Sequence, residues 1–218
     1  MKKFLKLTTV VVSMVMALAF VSCANGNENG ELNLVGTYGV SKVEIYSKDS
    51  TREVSMTMTM PTSKSLHQYG TQKYIDGETT TVMEMDLTIT KIEDDYSFKW
   101  AKYNINGQVA SEDAKTQQEK EFKDANWDSY TALFDITYTT TADGTWSDNS
   151  NPASSGTYTV DEANSKVIMK TFIEEGKNLD EPQIMEANYS NNGKTVVFVE
   201  EESSVDGTYK MTMTLTRK

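Results

Sequence analysis

Cysteine and histidine are almost missing from this chain: Cys23 and His67 are the only ones in 218 residues. A lone cysteine has no intrachain partner for a disulfide. One cysteine and one histidine also make no transition-metal ligand set of the usual spacing, so no metal is expected. Proline is scarce, with three residues, and no proline-rich linker divides the chain. Basic residues are in deficit, with 21 Lys and Arg against 32 Asp and Glu. A surface of that sign repels nucleic acid and anionic headgroups, which argues against a nucleic-acid partner. The chain also lacks a phosphate loop, a dinucleotide fingerprint and a Gly-x-Ser-x-Gly elbow. No cofactor is expected, and no enzyme motif is present.

What is there begins with Lys2, Lys3 and Lys6, followed by a run without charge from Leu7 to Val21. The run is shorter than the roughly 20 residues a membrane-spanning helix needs. It has the length and flanks of a secretory signal, ending on the small residue Ser22. The next residue is Cys23. The segment Phe20-Val21-Ser22-Cys23 resembles the bacterial lipobox, in which Leu, Ala or Ser, and Gly or Ala precede an invariant Cys. Phe20 stands where that pattern usually has Leu. The resemblance implies a signal peptide over 1–22 and a lipid anchor on Cys23, the first mature residue, with two chains on its sulfur and a third on its amine. Two or more chains hold stably where one is marginal. Residues 23–33 then read as the acylated Cys and a polar tether, and ten such residues reach roughly 17 Å root-mean-square. Ala24, which is not Asp, leans toward the outer membrane in the sorting habit of these lipoproteins. Losing three lysines from 21 basic residues leaves 18 against 32 acids, a mature charge of −14.

Residues 34–218 read as one domain of alternating strands. Met83, Met85, Leu87 and Ile89 alternate with polar residues, as do Met56, Met58 and Met60. Tyr96, Phe98 and Trp100 form a third series, Phe134, Ile136 and Tyr138 a fourth, and Met211, Met213 and Leu215 a fifth. Further strands are predicted over 34–47, 156–161, 166–174, 183–190 and 195–201. A Gly-Thr-aromatic unit at Gly36, Gly144, Gly156 and Gly207 is hairpin grammar rather than a repeat, because its spacing is irregular. Two stretches differ. Residues 61–79 read as a long polar connection. Residues 111–125 read as one short helix with a thin apolar face of Ala114, Phe122 and Ala125, lying on the surface or over a barrel mouth.

About ten antiparallel strands must hide their edges, and a closed barrel does so. The segments "LVGTY" and "MTLTRK" resemble the two ends of bacterial lipocalin-like domains. That resemblance implies an all-β, single antiparallel up-and-down barrel of about 8–10 strands. It also implies a closure in which Gly36 and Tyr38 on the first strand meet a basic residue on the last, Arg217 or Lys218.

Candidate chemistry is sparse. His67 falls in the polar connection and reads as solvated. The acid runs at Asp94, Glu174 and Glu200 put neighbours on opposite strand faces and do not make acid–base pairs. The loop 143–151 has oxygens enough for calcium, but reads better as a solvated hairpin. The remaining feature is methionine. Met56, Met58, Met60, Met83, Met85, Met211 and Met213 all sit on apolar faces. Either they line a barrel cavity for a small hydrophobic or amphipathic ligand, or they pack the barrel shut. The first expectation is an anchored, non-catalytic ligand-binding lipoprotein of the cell envelope. The alternative is a structural or protein-interaction module with a solid barrel core.

Overall fold

The structure is a computed structural model, and it describes residues 32–125 and 127–218. The expected signal peptide, the expected acylation site Cys23 and residues 24–31 of the expected tether lie outside the described residues. The remainder is all-β, with a closed eight-stranded antiparallel barrel and two helices. The strands are β1 (Gly36–Asp49), β2 (Arg52–Thr62), β3 (Ser65–Asp76), β4 (Thr79–Ile92), β5 (Asp95–Ile105) and β6 (Gln108–Val109). Helices α1 (Glu112–Ala125) and α2 (Asp128–Asp135) follow. Then come β7 (Thr137–Thr140), β8 (Thr145–Asp148), β9 (Ser155–Asp161), β10 (Lys166–Glu174), β11 (Lys177–Ser190), β12 (Thr195–Ser204) and β13 (Gly207–Arg217).

The strand order explains the closure. β7 to β13 pair each with the next, and β1 pairs with both β7 and β13 to complete the ring. β1 changes partner along its length. Gly36–Gly39 pair with Thr140–Thr137 of β7, while Lys42–Lys48 pair with Thr59–Glu53 of β2. A second series, β2 to β6, therefore runs on from β1 outside the ring.

By Cα packing the described chain forms two compact units. One holds Lys42–Ala132 and Glu202–Met211; the other holds residues 32–41, Leu133–Glu201 and Thr212–Lys218. We call them the meander unit and the barrel unit. β1, α2, β12 and β13 contribute residues to both.

In the meander unit, period-two alternation sets the buried face. Leu66 of β3 faces Ile89 of β4, and Gln68 faces Leu87. Val43, Leu66, Leu87 and Ile89 are almost wholly buried, and each contributes about 1.5–3 kcal/mol by leaving water. In the barrel unit, Val167, Met169, Ala187, Val196 and Leu215 point into the interior with Tyr38 and Trp146, all buried.

Three expectations need correction. Residues 61–79 are not a connection: β3 occupies Ser65–Asp76, in continuous register with β4 from Ser65↔Thr90 to Asp76↔Thr79. Its polar side chains hid a strand whose inner positions are Leu66, the buried Gln68 and Gly70. Consequently His67 stands on a strand, not in a loop. Helix is also more extensive than one segment. Phe134 falls within α2, and the strand there spans only Thr137–Thr140. The buried Trp127 and Thr131 at the start of α2 outweigh the local alternation, so tertiary burial overrides β-propensity.

Candidate functional site

The predicted closing residues meet in the barrel unit. The Arg217 guanidinium lies over the Tyr38 ring, 5.6 Å from its centroid. One of its nitrogens, Nη2, donates to Tyr38 Oη and to the Gly193 carbonyl, each at 3.2 Å, and also to the Asn33 carbonyl. Tyr38 Oη lies 2.6 Å from the Gly193 carbonyl and 3.1 Å from that of Leu34. Burial pushes the Tyr38 phenol up, and Arg217 pulls it partly back. Gly36 has φ +148°, and a Cβ there would stand 3.3 Å from Arg217 Cδ. Glycine thus both accepts this positive φ at the start of β1 and makes room for the guanidinium stem. Lys218, the other basic candidate, donates its backbone N–H to Thr37 instead.

Beside this clasp the barrel interior is nearly filled. Its void measures about 30 Å³, among Tyr38, Tyr138, Tyr158, Val167, Met169 and Phe198 with their neighbours. A volume of that size is about one water's share of liquid. Tyr138, half-buried, also lines the void. Burial, with a smaller push from Asp148, raises its phenol to about 12.

The seven candidate methionines separate. Met56, Met58, Met60, Met83 and Met85 lie on β2 and β4, which are not members of the ring. Met211 and Met213 lie on β13, which is, and both are buried. Met56 and Met83 pack against the buried Met85, Tyr103 and Ala110, together with Trp100, Ile105 and Ala114 of α1. Gly70 sits between Met56 and Met85 in the cross-strand row, so two thioethers share the space above a residue with no side chain. A Cβ on Gly70 would come within 2.0 Å of the Ser55 carbonyl at φ +156°. Two polar groups also turn to sulfur. Gln68 Nε2 donates to Met85 Sδ, and Tyr103 Oη to Met83 Sδ, both at 3.8 Å.

Helix α1 covers this side of β5. Its one buried residue, Phe122, meets Tyr96 and Phe98 edge-on at 5.5 and 5.7 Å and stacks on Tyr130 at 4.4 Å. Trp100 Nε1 donates to Glu119 at 2.8 Å, and Lys123 pairs with Asp95 at 2.7 Å. This aromatic plug was legible only in part: the sequence exposes Phe122 but not its four ring partners, the fourth being Trp127, edge-on at 6.4 Å.

The lone histidine offers little chemistry. His67 Nε2 lies 2.9 Å from Asp86 Oδ1 on the outer face of β3 and β4, and its ring meets Tyr69. The acids of the loop 143–151 are engaged in turns. Asp143 accepts from the hydroxyls of Thr141 and Thr145, and Asp148 accepts from the Ser150 and Ser154 amides. Part of that stretch is strand β8 rather than loop. Among the described residues no group of three or more His, Cys, Asp and Glu is placed to hold a metal ion. No protein-family model, curated protein or solved structure matches the chain.

Proposed function

We propose that this chain is an extracytoplasmic bacterial lipoprotein, held through acylated Cys23, whose β domain is a non-catalytic envelope module acting through its surface. The single observation that carries the second half is the 30 Å³ void in the barrel unit. Ligand pockets occupy roughly 300–1,000 Å³, so a drug-sized or lipid-sized guest in this void would have to displace Tyr38, Tyr138 and their neighbours; the open cleft of about 490 Å³ in the meander unit, between Ser47, Asp49, Glu202 and Tyr209, is lined mainly by polar residues. The first half rests on the charged start, the apolar run and Cys23 in sequence, with the outer membrane as destination because Ala24 follows.

The rival reading, a small apolar ligand, is favoured by one feature: the thioether cluster of Met56, Met83 and Met85 beneath α1. Methionine adapts its shape more readily than branched side chains. Native mass spectrometry of the purified domain separates the two. We expect the mass of the polypeptide alone. A co-purified guest of a few hundred daltons would overturn the packed reading. The anchor is tested separately by detergent phase partition. The full-length protein is expected in the detergent phase and Cys23→Ser in the aqueous phase; equal partition of both would remove the anchor.

A further inference from the structure

We propose that one end of the barrel unit, built from residues 33–35, the turns at 162–165 and 191–194 and the C-terminal Arg217 and Lys218, is the face that rests on lipid headgroups. This rests on the anchor reading above and goes beyond it by assigning an orientation.

The first observation is where the fold takes hold of the entering chain. Asn33 donates its N–H to the Asn192 carbonyl at 3.2 Å, and its own carbonyl accepts from Arg217. Val35 N–H donates to Asn33 Oδ1 at 2.8 Å. The Leu34 carbonyl accepts from Tyr38 and from Thr140. The clasp that closes the barrel therefore also fastens the segment at Asn33.

The second observation is length. Ten residues link Cys23 to Asn33, a reach of roughly 17 Å root-mean-square for a polar chain of this kind. Strand β10, Lys166–Glu174, separates the turn at 162–165 from the turn before Lys177. At about 3.3 Å per residue, reduced by strand tilt, the two turns stand about 20–25 Å apart. To turn the barrel over, Asn33 would have to rise by that distance, which disfavours the inverted orientation about tenfold.

The third observation is charge. Lys194, Arg217 and Lys218 gather at this end with Lys166, which is paired with Glu186 at 2.7 Å. Asp161 and Glu162 stand among them. Mixed charge of this kind suits zwitterionic headgroups, which present both signs, in a mature chain that otherwise carries a large acidic excess.

The test uses the full acylated protein in phosphatidylcholine–phosphatidylethanolamine vesicles. Ala163→Cys, in the turn at 162–165, and Lys177→Cys, at the start of β11, both exposed, carry a donor dye, and labelled headgroups carry the acceptor. We expect energy transfer from position 163 to exceed that from 177 by at least about twofold. Inserting ten Gly-Ser residues after Gly30 should shrink that ratio toward one. Equal or reversed transfer in protein that still floats with the vesicles overturns the orientation and leaves the anchor standing. Protein that does not float overturns the anchor, and the orientation falls with it.

Discussion

Arg217 ties several segments of the barrel unit together. It bonds three acceptors from three different segments and covers an aromatic face. A planar fork with several donors does this, and a lysine ammonium does not. We expect Arg217→Ala to lower stability by about 2–3 kcal/mol, and Arg217→Lys to recover less than half, measured by denaturant unfolding. Tyr138 makes a second expectation. Its folded pKa of about 12 lies above the unfolded value near 10. Its contribution is therefore fully present below pH 10 and is lost as pH rises toward 12. The linkage is of order 2 kcal/mol. Tyr138→Phe should flatten the fall in stability between pH 10 and 12 and leave the slope at pH 7 unchanged.

Helix α1 has a thin hold. Of its 14 residues only Phe122 is buried, so one aromatic ring, the half-buried Ala114, a Trp–Glu hydrogen bond and an exposed ion pair dock it. Phe122→Ala should cost about 3 kcal/mol and speed hydrogen exchange in Glu112–Ala125 more than in β9 or β10. Unchanged exchange in α1 would sink this account of its docking. At Gly70 the backbone leaves no room, and Gly70→Ala should destabilise the meander unit by at least about 2 kcal/mol. Both elements show what local reading can reach. The helix over 111–125 was visible because caps and charge pairs are local. Strand β3 was not, because Gln68, Gly70 and Gln72 occupy inner-face positions where a sequence pattern expects apolar residues. What holds β3 is its ladder to β2 and β4, and that pairing is not written within the segment.

For the chain as a whole, the consequence is where its apolar interior lies. The ring contains β1 and β7 to β13, while five of the seven candidate methionines belong to β2 and β4. A ligand sought among those methionines would lie in the meander unit, whose cluster is already occupied by Trp100, Tyr103 and Ala114. The expected absence of a bound guest and the expected dependence of partition on Cys23 are thus independent measurements. The first concerns packing within the domain, and the second concerns covalent chemistry on a residue outside its described part.

The sequence by itself determined the all-β class, the turns before Thr145 and Gly207 and the helix read over 111–125, whereas the units at Gly36 and Gly156 lie within strands. Period, glycine and capping act over a few residues, so a short window carries them. It also placed Tyr38 and Arg217 at opposite ends of the domain as partners, although only through a likeness of short segments. The tertiary structure decided the rest. β1 leaves β7 for β2 between Gly39 and Lys42, Arg217 reaches the carbonyls of Asn33 and Gly193, and the barrel interior closes to a void the size of one water. Each of these depends on which distant strands pair and how their side chains interlock. Such free energies arise only when residues well separated in the chain, from 17 apart between Lys42 and Thr59 to 184 apart between Asn33 and Arg217, come into contact.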